Sequence, residues 1–205
     1  MSMSYNIAVV GVGGQGLLTL GSIIGVACIK RKLDVAIAEV HGMSQRGGSV
    51  IVHVRIGDEP SPIIPIGGAD HIISLELLEA ARYIHYARRN SIISINDFIW
   101  PPPLANYPSR EDLLRELRGK DVILHLLDAN GLSNKIVGSP ISANIAMLGF
   151  ALGVDRNLRS FIDIDSVKKS LEEHFRGRVL ELNMNLLLES YKIGLDYAEK
   201  NRGTE

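Results

Sequence analysis

The chain has 205 residues, 46% of them hydrophobic, with Lys+Arg 22 against Asp+Glu 23 and a formal net charge of −1. That length and apolar content suit one packed domain, and the charge balance and 5% aromatic content argue against nucleic acid or an anionic membrane surface as a partner. The lone cysteine, Cys28, excludes an internal disulfide and an iron–sulfur cluster held by this chain alone, and it fits a reduced, cytoplasmic setting.

Tyr5 to Val10 (YNIAVV) is short, apolar and partly β-branched, and it ends at glycines. That pattern predicts a strand buried on both faces of a parallel sheet. Leu17 to Lys32 follows as a helix that includes Cys28, which reads as a core residue. Its Gly21 and Gly25 would let the helix sit close to the sheet. The apolar part, Leu17 to Ile29, is broken by Thr19, Gly21, Ser22 and Gly25 and is shorter than the ~20 apolar residues of a membrane span. No basic run precedes it, so no secretory signal is expected. Leu33 to Val40 is the second strand, which completes a strand–glycine loop–helix–strand unit.

Ser49 to Ile56 (SVIVHVRI) alternates as a third strand, and Gly57-Asp58-Glu59-Pro60 marks a turn. Prolines 60, 62 and 65 predict an extended, irregular stretch. Ala69 to Leu75 reads as a strand, Glu76 to about Arg88 as a helix, and Ser91 to Ile95 as a short buried strand. Trp100-Pro101-Pro102-Pro103 suits a surface segment of polyproline type, because proline is excluded from helix interiors and central strands. Ser109 is a candidate N-cap, with Asp112 where a full capping box would carry Glu or Gln. Asp121 to Leu127 is a strand. Ser142 to Leu152, Asp165 to Phe175 and Val179 to Glu199 read as helices, the last with Leu180, Leu182, Leu186, Leu187, Tyr191 and Leu195 near helical spacing. The alternation predicts a single α/β domain: a mostly parallel, Rossmann-like sheet flanked by helices, with C-terminal helices.

Two loops carry the chemistry. Gly11, Gly13 and Gly16 of GVGGQG match the spacing of a dinucleotide loop, and Glu39 stands where an acidic residue would hold a ribose. Glycines at a strand-to-helix turn also serve plain packing, so both readings stay open. A Walker loop is excluded because Leu17-Leu18 occupy the Lys-Ser/Thr positions. Gly14 makes the loop a GxGGxG variant similar to that of adenylating enzymes, but a supporting set of Arg and Asp residues is lacking. The second loop, His41-Gly42-Met43-Ser44-Gln45-Arg46-Gly47-Gly48, belongs at a strand end. Arg46 offers a planar fork for phosphate or carboxylate, and Gly47 and Gly48 permit close approach. The alternative is an Arg46 paired with a structural carboxylate in a glycine turn. His41 suits either general acid–base work or positioning. The remaining histidines show no metal-ligand spacing, with His53 and His125 placed in strands.

Together, GVGGQG and HGMSQRGGSVIVHVRIG resemble the beta subunits of indolepyruvate ferredoxin oxidoreductases, within the gamma-domain family of 2-oxoacid:ferredoxin oxidoreductases. The resemblance continues through Leu75 to Ala80, Ile95 to Asp97, Asn144 to Gly149 and Asn183 to Gly194, and so covers most of the chain. The pyruvate and 2-oxoglutarate branches usually carry a Tyr-Gly-Pro-Glu type run before Arg-Gly-Gly; here His41 and Met43-Ser44-Gln45 fill that slot. The resemblance implies a heteromeric enzyme that oxidatively decarboxylates arylpyruvates to aryl-acetyl-CoA. Thiamine diphosphate, Mg and 4Fe-4S clusters are then expected on the large alpha subunit, with CoA as co-substrate and ferredoxin as acceptor. This chain agrees with that division: it has one cysteine, and Gly57-Asp58-Glu59 lacks the second glycine of a thiamine signature. The expected site-facing residues are Gly11, Gly13, Gly14, Gln15, Gly16, His41, Gln45, Arg46, Gly47 and Gly48, and Trp100 and the C-terminal helices are candidate subunit contacts. Two other readings are a stand-alone NAD- or FAD-binding oxidoreductase and a purely structural subunit.

Overall fold

The computed structural model describes residues 4–42, 47–57, 61–101 and 106–201. The elements follow in chain order as β1 (Tyr5–Val12), α1 (Leu17–Lys30), β2 (Val35–His41), β3 (Ser49–Ile56), β4 (Ala69–Ser74), α2 (Leu77–Tyr83), β5 (Ala87–Asn96), α3 (Arg110–Arg118), β6 (Ile123–Leu127), α4 (Ala129–Val137), α5 (Ala143–Val154), α6 (Arg156–Phe161), α7 (Ile164–His174) and α8 (Gly177–Asn201). Single 3-10 turns lie at Ile84–Tyr86 and Pro140–Ser142.

The strands form one sheet in the order β2-β3-β1-β4-β5-β6. β1, β4, β5 and β6 pair in parallel. β3 runs antiparallel to both neighbours, pairing Val12 with Ser49 on one side and Val50 with His41 on the other. The mostly parallel α/β expectation is therefore met, with one insertion. β3 returns by the short β2–β3 connection and takes the place beside β1, which moves β2 to the sheet edge. That order puts the C-terminal ends of β1 and β2 and the N-terminal end of β3 on one rim, together with the ends of β4, β5 and β6.

Side chains alternate across the sheet as the pleat requires. Ile7 and Val9 join the core under α1, α5, α7 and α8, while Ala8 and Val10 join the core under α2 and α3. α5 is buried along its whole length, which matches its all-round apolar sequence. α1 lies tight on the sheet as its small residues predict: a Cβ at Gly21 would come within 2.9 Å of Val52, and one at Gly25 within 2.7 Å of Ile37. Cys28 is buried, and burial pushes its thiol up to about 12, so it is a core residue rather than a nucleophile. Among the described residues no helix is long and apolar enough to cross a membrane.

Three readings are corrected. The helix expected from Glu76 to Arg88 ends at Tyr83, and β5 starts at Ala87, before the expected Ser91. Sheet pairing overrides helix propensity there: Ala87 pairs with Ala69, a bulge follows, and Arg88 and Arg89 are tied to Asp70 and Asp121. Two short helices, α4 and α6, add to those read from the sequence. Each begins at an aspartate N-cap, Asp128 accepting from Gly131 N–H and Asp155 from Asn157 and Leu158 N–H. Ser109 caps α3 as expected. The Asp58-Glu59-Pro60 turn and Pro102-Pro103 lie outside the described residues.

Candidate functional site

β1 delivers the chain into the glycine loop, and α1 leaves it. Gly16 is the N-cap of α1 in the left-handed region, φ 76, a conformation costly for any residue with a Cβ. Gln15 folds back: its Oε1 accepts Val12 N–H at 2.7 Å, and its Nε2 donates to Leu75 O at 3.0 Å. A Cβ at Gly11 would lie 2.7 Å from Gln15 Oε1, and one at Gly16 2.6 Å from Asn144 Nδ2, which itself donates to Gly16 O. Two of the three motif glycines are thus required by the protein's own amides. Gly14, φ 104, meets open space. Gln15 thus braces the loop from within.

The second loop is stitched to the first through the backbone. Gly13 N–H donates to Gly48 O at 2.8 Å, and Gly47 N–H to Gly13 O at 3.4 Å. Gly13, Gly14, Gly47 and Gly48 therefore lie together on the strand-end rim. His41 is exposed with Nδ1 2.9 Å from Gly42 O, so Nδ1 is the protonated nitrogen of the neutral ring and Nε2 is free to act as an acceptor. Gln45 and Arg46 lie outside the described residues.

Gly14 divides two clefts. One, about 440 Å³, is lined by Gly13, Gly16, Thr19, Glu39, His41 and Val50; Glu39 and His41, two apart on β2, face the same way. The other, about 280 Å³, is lined by Gln15, Phe98, Trp100, Asn130, Pro140 and Ile141. Large apolar side chains stand exposed around both: Trp100 at 49%, Ile141 at 77%, and Leu18.

Several residues of this rim carried no assigned role in the sequence reading. Asn96, ending β5, donates from Nδ2 to Leu75 O and Asn130 Oδ1 and accepts Ala129 N–H. Glu76 is the fully buried N-cap of α2; it accepts Glu79 N–H, Trp100 N–H and Tyr107 O–H. Glu79, 3% exposed, accepts the hydroxyl proton of Ser49. Burial raises its pKa, against the lowering effects of Ser49 and Arg82. These residues lie within or beside the stretches that carry the family resemblance, but their type alone names no partner.

A Ser–His–Asp line also emerges that the sequence did not show. Ser94 Oγ is 2.9 Å from His71 Nε2, and His71 Nδ1 is 2.8 Å from Asp155 Oδ2. Tyr5 O–H donates to Asp155 as well. All are sealed in the core, at 0% exposure for Ser94 and His71 and 1% for Asp155. No substrate reaches this serine, so the line is a buried polar network that joins β1, β4, β5 and α6. Among the described residues no group of three or more His, Cys, Asp or Glu is placed to hold a metal.

The model of the pyruvate ferredoxin/flavodoxin oxidoreductase family matches residues 6–193. The chain belongs to that family. The indolepyruvate oxidoreductase subunit IorB of Archaeoglobus fulgidus is 39% identical, over 92% of this chain and 94% of the relative, which bears out the resemblance to the indolepyruvate branch. As a member of the family the chain is an oxidoreductase subunit. Among solved structures, the pyruvate oxidoreductase subunit PORC of Thermotoga maritima superposes with a TM-score of 0.72 at 18% identity, over 92% of this chain and 96% of that one. The 2-oxoglutarate:ferredoxin oxidoreductase of Magnetococcus marinus, solved with 2-oxoglutarate, coenzyme A and succinyl-CoA bound, gives 0.68 at 18% identity, over 96% of this chain but 31% of that one. At these identities the two structures speak for the fold of family members.

Proposed function

We propose that this family member is the small subunit of an oxidoreductase acting on indolepyruvate and other arylpyruvates. In that reaction the 2-oxoacid loses CO2, its acyl carbon takes the sulfur of CoA as aryl-acetyl-CoA, and two electrons pass to ferredoxin. Thiamine diphosphate, Mg and 4Fe-4S clusters belong to the large alpha subunit, where they supply the decarboxylation and electron-transfer chemistry. The donor set here supports that division: the one cysteine is buried in the core, and a cluster needs several thiolates.

What this chain contributes is a surface. The observation that carries the reading is the backbone pairing of Gly13 with Gly47 and Gly48, which welds both motif loops into one patch at the strand ends, the usual ligand face of an open α/β sheet. Its exposed Leu18, Trp100 and Ile141 suit burial against a partner chain. The loops then border the large subunit's active site and the approach of CoA. A tightly held dinucleotide is disfavoured, because Gln15 and Asn144 occupy the space over Gly11 and Gly16.

The test is Arg46→Ala in the assembled enzyme. Activity with indolepyruvate and CoA should fall about tenfold or more, the scale of losing a charge-assisted contact, while the subunits still copurify. Unchanged activity would remove the loops from the site and favour a purely structural subunit. A nicotinamide or flavin retained by the purified chain would favour the stand-alone oxidoreductase.

A further inference from the structure

We propose that Glu79 is a positioning residue for the glycine-loop surface: from inside the core it holds the first residue of β3 and so sets where Gly47 and Gly48 lie against Gly13. The inference rests on the reading of that surface given above.

Ser49 has a single hydroxyl proton, and it goes to the Glu79 carboxylate. Tyr83 Oη lies 3.0 Å from Ser49 Oγ, so Tyr83 donates in turn, giving the chain Tyr83 to Ser49 to Glu79. The other carboxylate oxygen is 3.2 Å from Arg82 Nη1. Glu79 and Tyr83 are one turn apart on α2, on the opposite face of the sheet from α1, so the base of the second loop is clamped by a helix that does not touch the surface itself. The same first turn of α2 governs the other cleft. Glu76 accepts Glu79 N–H at 2.8 Å through Oε2, and its Oε1 takes Trp100 N–H at 3.1 Å and Tyr107 O–H at 2.6 Å. Two buried carboxylates thus fix the walls of both clefts flanking Gly14.

Burying carboxylates is expensive, and apolar packing would stabilise a helix–sheet junction more cheaply. A residue kept only for stability would be replaceable by Leu or Met. What these carboxylates grip is the rim itself: the stem of one loop and the backbone beside an exposed tryptophan. Placement errors of about 1 Å at a reacting centre cost up to roughly a hundredfold in rate, so a clamp on the loop stem has a function that general packing lacks.

The experiment compares Glu79→Ala, Glu79→Gln, Ser49→Ala and the Glu79→Ala/Ser49→Ala double variant in the assembled enzyme, with Arg46→Ala as reference. Glu79→Ala and Ser49→Ala should each lower kcat/KM for CoA about tenfold, and the double variant should lose little more than either, as expected for two halves of one contact. Glu79→Gln keeps an acceptor for Ser49 and should recover to within about threefold of the parent. Hydrogen exchange at Gly13 N–H, bonded to Gly48 O, should quicken in Glu79→Ala and return toward the parent rate in Glu79→Gln. Three results overturn the proposal: normal kcat/KM in Glu79→Ala, no recovery in Glu79→Gln, or losses that multiply in the double variant. If Arg46→Ala is impaired while Glu79→Ala is normal, only this inference falls. If Arg46→Ala is silent, the reading of the surface falls with it.

Discussion

Gln15 and His125 show how a residue's surroundings set what it does. Gln15 sits in a loop built like a ligand site, and its amide braces that loop through Val12 and Leu75. His125 lies on β6 and is buried there, its Nδ1 without a hydrogen-bond partner among the described residues and its ring edge-on to Tyr197. Burial, aided by neighbouring His71, pushes it down to about 4. The sign of the consequence is set by linkage: below pH ~6.5 the unfolded chain takes a proton that the folded chain refuses until about 4. Stability contributed by the neutral ring is therefore present above pH ~6.5 and is lost as the pH falls through that window, by at most ~1.4 kcal/mol per pH unit. Urea midpoints taken between pH 7 and 4.5 should show this slope in the parent and a flatter one in His125→Phe. Equal slopes would contradict it. Asp155 acts in a lower window: burial raises its pKa, but hydrogen bonds from His71, Tyr5 and Leu158 outweigh that and hold it below the usual range.

The pairing of α5 with α8 is the element-scale device behind the core. α5 is apolar on every side, so it needs cover on its outer face, and α8 gives it at backbone distance. A Cβ at Gly153 would come within 2.5 Å of Tyr191 O and 2.6 Å of Gly194 Cα. These are backbone atoms, which cannot swing aside as a side chain can. Gly153→Ala should therefore destabilise the protein by about 1–3 kcal/mol, the cost of overpacking, despite alanine's better helix propensity. A gain in thermal midpoint would show that α8 can lift away from α5. The β2–β3 hairpin works similarly at the rim: β3 pairs along its whole length with β1 and from Val50 onward with β2, which gives the second loop a rigid stem.

For the molecule as a whole, the two ends of the sheet do different work. The N-terminal end is tied by surface ion pairs such as Arg89 with Asp121, while the C-terminal rim gathers glycines, exposed apolar side chains and two clefts. Under the proposed function this rim, on a chain whose one cysteine is buried, would complete the large subunit's site. The purified chain should show no indolepyruvate-dependent ferredoxin reduction, and adding the large subunit should restore it. Turnover by the chain alone would refute this division of labour.

Much was legible in advance. Apolar β-branched runs ending in glycine marked β1, the alternation of SVIVHVRI marked β3, and the unbroken apolar stretch marked α5, because hydrophobic burial imposes those periods on any chain that folds this way. The paired motifs marked the family. The tertiary structure alone decided that β3 is wedged antiparallel between β1 and β2, since strand order is set by long-range pairing that no local pattern encodes. It also decided that Gly11 and Gly16 make room for Gln15 and Asn144, and that Glu76 and Glu79 reach the rim from beneath. Asn144 is 128 residues from Gly16, and Glu79 is 30 from Ser49. Such contacts exist only once the sheet is assembled, which is why the bracing of this loop is visible only in three dimensions.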